Sequence, residues 1–213
     1  LSAPELIIVG AGGHGREVAH AWLLGRGGGA TVGFLDDGRA GETPEGWPIL
    51  GTVAQWPRWR DRPCIVGIND PRVRRAVVAA MNALGEPRWT SVVHPGVALH
   101  ESVRLGKGAM ILGGVQATVH VSIGDFASVN RLVSIGHDVV LGDFASVAPL
   151  ASLSGHVTVR GGADIGTSAA IRQGVELGAG CGVGMGSVVL ESIAPNALVV
   201  GNPARHLREL DPW

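Results

Sequence analysis

Two groups of residues in this chain have types and spacings that could do chemistry. The first is "SIGHDVVLGDF", Ser134 to Phe144, where His137 stands beside Asp138 among aliphatic residues and glycine. A neutral imidazole can act as a general base near neutral pH, and a carboxylate or backbone carbonyl beside it can set its tautomer. The residues alone leave open which of these orients His137, and they equally describe an ordinary surface histidine. No triad serine and no second metal ligand at a recognisable spacing accompanies it, so no metal is expected. The second group lies in "ELIIVGAGGHGREV", where Gly10, Gly12 and Gly15 satisfy G-x-G-x-x-G and Gly12 and Gly13 would let backbone N–H groups approach a phosphate at a helix N-terminus. His14 in that loop could donate to a phosphate or sugar oxygen, cap the helix, or face solvent. Asp36, in "TVGFLDD", could accept from a ribose or another polar group.

A glycine loop of this kind needs a strand before it and a helix after it. Leu6 to Val9 supplies the strand, and Val18, Ala19, Trp22 and Leu23 supply one apolar face of the helix. "TVGFLDD" reads as a second strand, "PCIVGIND" as a third ending in Asn69 and Asp70, and "PRVRRAVVAAMNALG" as a helix. Its Arg74 and Arg75 either meet phosphates or form a charged helix face. Trp47, Trp56 and Trp59 read as packing residues of this small unit. An NAD-binding Rossmann domain is the alternative, but only about ninety residues precede the hexad repeat that starts at Val93, less than a full dinucleotide fold uses. A shorter mononucleotide-type βαβ unit fits better.

His137 sits in a different context. Counting in sixes from Val93 to Val183, every first position except Ala117 is Val, Ile or Leu, and every fifth position is small or β-branched. A helix would smear a period of six around its surface, whereas short strands with a turn every six residues close a triangular coil after three sides. The pattern therefore predicts a left-handed parallel β-helix with the first-position aliphatics inside. Glycine recurs at the second position, as at Gly106, Gly124, Gly136 and Gly142, where a corner would need it. Residues one coil apart become vertical neighbours, so His120, Asp138 and His156 form one column, and His137 lies between Val119 and Gly155. Phe126 and Phe144 pair on the outer surface or between subunits. A three-sided prism suits a cyclic trimer.

Composition narrows the partners. Basic and acidic residues number 17 and 18, for a net charge of −1, which provides no basic field for nucleic acid or an anionic membrane. Cys64 and Cys181 lack CxxC spacing, and Cys181 falls on the inward fifth position, so neither a disulfide framework nor a zinc site is suggested. The start "LSAPELIIVG" has no basic n-region, and no stretch is apolar enough to span a bilayer, so a soluble cytoplasmic protein is expected.

The stretches "IIVGAGGHGREV", "FLDD", "VGINDPRVRR", "VVHPGV", "IGHDVVLGDF", "SLSGHVTV" and "VVGNPARHL" together carry a resemblance along nearly the whole chain. It resembles the bacterial sugar O- or N-acyltransferases, the group of sialic acid O-acetyltransferases and nucleotide-amino-sugar N-acetyltransferases, which join a small Rossmann-like α/β domain to a left-handed β-helix. The resemblance implies a nucleotide-sugar-binding domain over residues 1–91 and a β-helix acyltransferase domain over 92–213. It implies that His137 is the catalytic base and Asp138 the acidic residue beside it. Acetyl-coenzyme A would lie between adjacent β-helices of a homotrimer near Gly155, Thr167 and Pro203, with Ser146 standing where relatives often carry a coenzyme-binding histidine. The nucleotide-linked sugar would sit at Gly12, Gly13, His14 and Asp36, with Asn69, close to a neighbour's helix. Arg131 and Leu132 replace a small Thr-Gly pair and would reshape the acceptor side.

The implied activity is N-acetylation of a nucleotide-linked amino sugar with acetyl-coenzyme A as co-substrate and no metal. Acetylation of a sugar hydroxyl is the alternative. Two further readings are an NAD-dependent enzyme and a non-catalytic nucleotide-sugar scaffold. Metal-dependent carbonic anhydrases share the β-helix but need three histidines on one zinc, and here His120 and His156 share a column only with Asp138.

Overall fold

The computed structural model describes residues 3–27 and 29–213. Its first part is a six-stranded sheet: β1 (Leu6–Val9), β2 (Val32–Leu35), β3 (Gly41–Glu42), β4 (Pro48–Gly51), β5 (Pro63–Val66) and β6 (Arg88–Trp89), in the order β3-β4-β2-β1-β5-β6. All pairings are parallel except β3 with β4. The helices α1 (Gly13–Leu24) and α2 (Pro71–Ala83) come after β1 and β5. Strands β1, β2 and β5 and both helices match the sequence expectation; β3, β4 and β6 are additional to it. Pro71 opens α2, and the Asp70 side chain accepts from the N–H groups of Arg72 and Val73, which fixes where that helix begins.

From Val92 onward the chain winds into the left-handed β-helix that its period predicts. Two-residue strands stack in parallel on three faces. Face one carries Val92–Val93, Met110–Ile111, Ser128–Val129, Ser146–Val147, Asp164–Ile165 and Gly182–Val183, and is extended by Ala197–Val200 and Arg205–Glu209. Face two carries Gln116–Ala117, Ser134–Ile135, Ser152–Leu153, Ala170–Ile171 and Val188–Val189. Face three carries Arg104–Leu105, Ser122–Ile123, Val140–Leu141, Thr158–Val159 and Glu176–Leu177. The first- and fifth-position residues, such as Ile135, Val139, Leu153 and Val157, form one continuous buried core.

The corner chemistry differs from the sequence reading. The left-handed backbone falls at the fourth position, at His120, Asp138 and His156 among others, with φ between 56° and 59°. The second-position glycines serve another purpose. A Cβ on Gly136 would lie 2.6 Å from the backbone nitrogen of Gly155, and one on Gly142 would lie 2.6 Å from that of Gly161. Glycine there allows one coil to sit on the next.

The α/β unit packs on face one and on the edge between faces three and one. Arg74 of α2 is fully buried at that joint. Its Nε donates to the Phe126 carbonyl at 2.7 Å, Nη1 to the carbonyls of Ile68 and Asn69 at 2.6 and 2.7 Å, and Nη2 to the Phe144 carbonyl and the Ser146 hydroxyl at 2.7 and 2.9 Å. Arg74 is therefore a clamp between the two units and not a phosphate ligand. Arg75 lies over the Trp213 ring, 4.0 Å from its centroid, and is also engaged within the chain. The Phe126–Phe144 pair is stacked at 5.1 Å and is not an open surface ladder, because Trp89 meets Phe126 edge-on and Trp213 leans on Phe144.

Replacing the clamp should separate the units. Arg74→Met removes the donors of several buried carbonyls, at a cost of at least about 3 kcal/mol. Thermal unfolding should show Tm lower by roughly 6 to 12 °C; an unchanged Tm would mean that the joint is held by its aromatic contacts.

Candidate active site

His137 and Asp138 form the turn between faces two and three. The Asp138 N–H donates to the Val119 carbonyl below at 3.1 Å, and the His137 carbonyl accepts from the His156 N–H above at 2.9 Å. This left-handed corner turns the Asp138 carboxylate back toward its neighbour, so that His137 Nδ1 lies 2.8 Å from Asp138 Oδ2. Of the two orienting partners left open by the sequence, the carboxylate is the one that makes the bond. That bond from His137 chiefly holds the Asp138 carboxyl below the usual carboxylate range, with His156 and His120 adding to it against a smaller opposing effect of burial. An ionised Asp138 accepts Nδ1–H and leaves Nε2 with its lone pair, the form a general base requires.

Gly155 sits directly above, where a Cβ would come within 2.5 Å of His137 Nε2. The ring therefore has its position only because Gly155 has no side chain. His156, on the same turn as Gly155, stands edge-on to His137 with ring centroids 4.9 Å apart and its Nε2 3.8 Å from Asp138 Oδ2. The sequence column links His156 to Asp138 but not to His137; one coil plus one residue separates the two histidines, and the corner brings both to one carboxylate.

The glycine loop is built as its motif suggests. Gly10 has φ +96°, and a Cβ on Gly15 would meet the Gly10 carbonyl oxygen at 1.9 Å, so the turn excludes side chains at both. Gly12 and Gly13 instead face open space. α1 has no capping side chain and no acidic residue in its first turn, which keeps its first N–H groups free of side-chain acceptors. Asp36 accepts from Ala11 N–H at 2.8 Å and Gly38 N–H at 2.9 Å, one with each oxygen, so its first task is to hold the loop.

His14 turns inward, with Nε2 3.2 Å from the Ser128 hydroxyl, which also reaches Asn69 Oδ1 at 3.3 Å. Burial above all, then the positive charges of Arg74 and Arg131, push the His14 pKa down to about 4, and the imidazole is neutral at physiological pH. Asn69 is tied to the joint through its carbonyl, which accepts from Arg74 and from the Ser146 hydroxyl at 2.6 Å. A cleft of about 530 Å³ opens beside the loop between α1 and the β-helix, where Gly13, Arg16, Glu17, His20, Trp47 and Arg131 line it. Its size is that of a small-ligand site. Arg131 bridges it to Glu17 at 3.3 Å.

The residues expected at the coenzyme distribute around face two. Gly155 is on the edge between faces two and three, and Thr167 is on the edge between faces one and two. Pro203 lies in the turn between Ala197–Val200 and Arg205–Glu209, beside a cavity of about 450 Å³ that Leu190, Ile193 and Arg205 also line. Between these edges the strand residues Ser134, Ser152 and Ala170 are exposed and small. Ser146 is a correction: it is fully buried on face one, its hydroxyl donating to Asn69 and accepting from Arg74, so it belongs to the joint and has no surface to offer a coenzyme. Cys181 is buried as expected, and desolvation pushes its thiol up to about 12, which removes it as a nucleophile.

The loop rests on face one, whereas His137 occupies the opposite edge of the prism. Within one chain the two groups therefore point to opposite sides. No helix among the described residues is long and apolar enough to cross a membrane.

Residues 5–81 match the family described as the PglD N-terminal domain. Over almost the whole chain the structure is similar to perosamine N-acetyltransferase from Caulobacter crescentus, solved as a variant lacking one histidine with CoA and GDP-perosamine bound, at 29% identity, covering 98% of this chain and 99% of that one, with a TM-score of 0.90. It is likewise similar to the acetyltransferase domain of PglB from Neisseria gonorrhoeae, at 31% identity, covering 96% of this chain and 100% of that one, with a TM-score of 0.88. An uncharacterized protein of Acanthamoeba polyphaga mimivirus is 24% identical over 119 residues, 56% of this chain, which spans only 23% of that protein's length.

The site geometry makes two outcomes measurable. Gly155→Ala should lower kcat at least about tenfold with the far-UV circular dichroism unchanged, because a Cβ displaces only the imidazole; an unaltered kcat would mean that the ring position is not used. His14 is depressed when folded, so its contribution is complete above its unfolded pKa of 6.5 and is lost as pH falls toward about 4. Denaturant titrations should show stability declining across that window by up to about 3 kcal/mol from this group, and the decline should shrink in His14→Gln.

Proposed function

The chain belongs to the hexapeptide-repeat sugar acetyltransferases that carry a PglD-type N-terminal domain, and from this membership we propose that His137 is the base with which it acetylates the amine of a nucleotide-linked amino sugar. The enzyme is an acetyl-coenzyme A-dependent acetyltransferase. The observation that carries the assignment of the base is the 2.8 Å contact between His137 Nδ1 and an ionised Asp138 on an open corner.

The acceptor amine attacks the thioester carbonyl, and His137 Nε2 takes the proton that the nitrogen sheds as the C–N bond forms. Asp138 holds Nδ1–H throughout and stabilises the imidazolium. Collapse of the tetrahedral intermediate breaks the C–S bond, and the coenzyme leaves as a thiolate that then collects a proton. Transfer is direct, since both cysteines are buried.

The nucleotide part of the acceptor binds at the loop, where Gly12 and Gly13 present open backbone and the cleft beside them has the size for it. Coenzyme A lies along the small-residue face between Gly155, Thr167 and Pro203. Because the loop and His137 point to opposite sides of one chain, the working site joins the loop of one copy to the histidine of another, in a cytoplasmic homotrimer. Arg131, in place of a small residue, gives this cleft a cation with which to meet the acceptor's diphosphate.

Thiol release from acetyl-coenzyme A, measured with a panel of nucleotide-linked amino sugars, tests this. Turnover by the parent chain should fall by at least about a hundredfold in His137→Ala. Equal rates in both would remove His137 as the base, and turnover only with hydroxyl acceptors would replace N- by O-acetylation.

A further inference from the structure

The corner that holds the proposed base also gathers metal-ligand chemistry that the transfer reaction does not use. His137, Asp138 and His156 each bring one ligand atom to within 4.8 Å of the others, and all three side chains are exposed. Tetrahedral zinc with donors at 2.0–2.1 Å requires neighbouring donors roughly 3.3 Å apart. The two contacts here bracket that spacing: His137 Nδ1 to Asp138 Oδ2 is 2.8 Å, and His156 Nε2 to Asp138 Oδ2 is 3.8 Å. The imidazoles are almost perpendicular, at 87°, so two in-plane lone pairs can converge beside one carboxylate without the rings clashing. The backbone at Asp138 and His156 is locked at φ 59° and 58° by the coil, which presents all three from rigid turns.

We propose that a divalent cation of the zinc class binds between His137, Asp138 and His156 and inhibits acetyl transfer. Two imidazoles and one carboxylate suit zinc and its later first-row neighbours, with the remaining coordination position open to solvent. The cation takes the Nδ1 lone pair, and the proton that Nδ1 held against Asp138 moves through solvent to Nε2, so the ring remains neutral. Nε2 then carries an N–H and has no lone pair with which to accept the acceptor's proton. His156 is not the proposed base and its ring is not hydrogen-bonded to the base's ring, which makes it the residue whose replacement separates binding of the cation from loss of the base. The binding rests on the geometry alone, whereas the inhibition rests on the assignment of His137 as the base.

The test titrates the full chain with Co²⁺ alone, monitoring its ligand-field absorption, and then displaces it with Zn²⁺. Saturation at one cation per chain in the micromolar range is expected, weakened at least about tenfold in His156→Gln and in Asp138→Asn. In the transfer assay Zn²⁺ should abolish turnover of the parent, a chelator should restore it, and whatever rate His156→Gln has without metal should persist when the cation is added. Absorption that develops only near millimolar cation, or identical binding by parent and His156→Gln, would overturn the site. Tight binding that leaves turnover intact would overturn the inhibition. If His137→Ala is then as fast as the parent, the failure lies in the assignment of the base and not in the metal site.

Discussion

The guanidinium of Arg74 is the interaction on which the rest of the molecule depends. A buried cation is tolerated only when its donors are used, and here they meet carbonyls from both units: Ile68 and Asn69 just past β5, and Phe126 and Phe144 on the β-helix edge. Burial lowers its pKa to about 10, with the carboxylates of Asp164 and Asp70 opposing the shift, so it stays charged at neutral pH. Two carbonyls of successive coils and two of the loop before α2 are thereby fixed to a single planar group. Asn69 is pinned by it, Ser128 reaches Asn69, His14 meets Ser128, and the open glycines of the loop adjoin His14 in sequence. The orientation of the glycine loop against face one is set by this chain of contacts.

The β-helix imposes a second constraint, which explains why chemistry occupies its corners. Inward positions are filled with aliphatics, and strand positions alternate with them over only two residues, which leaves the third and fourth positions of each hexad free to project. The fourth must adopt a left-handed backbone, and the second must be small enough for the coil above. At Gly136–His137–Asp138 these requirements coincide. Gly136 lets the coils touch, Asp138 turns its carboxylate back, and Gly155 leaves the space that His137 fills.

Much of this is legible in the sequence because the period is strict. A repeat of six with two apolar columns identifies the β-helix, its vertical neighbours and the outward position of His137, and the glycine fingerprint identifies the loop. The role of Arg74 is not legible, since nothing in "PRVRRAVV" distinguishes a buried clamp from a charged surface. Its burial depends on how two units dock, and so does the fate of Ser146, expected at the coenzyme but covered here by α2 and its preceding loop. The aromatic pair Phe126–Phe144 escapes the pattern for the same reason: a period reports the coil that carries a residue, not what packs on the coil from outside. His156 escapes it differently. Vertical arithmetic pairs residues a whole coil apart, while a ring leaning across a corner reaches one residue further.

The two histidines that the sequence singles out end in opposite environments, and the difference arises from the architecture. His14 is enclosed at the joint, where desolvation and the nearby Arg74 and Arg131 charges keep its ring neutral, so it can only act as a hydrogen-bonding part of the loop's support. His137 stands on an open edge with an ionised carboxylate bonded to one nitrogen, so the lone pair stays on the other. A base must be able to accept charge, and a buried ring between two arginines cannot. The same clamp that fixes the loop thus encloses His14, whereas the proposed base stands on the far edge of the β-helix. The placing of the glycine loop and of His137 on opposite sides of the prism is therefore a consequence of how the units are joined, and the proposed chemistry, which needs both, calls for a second copy.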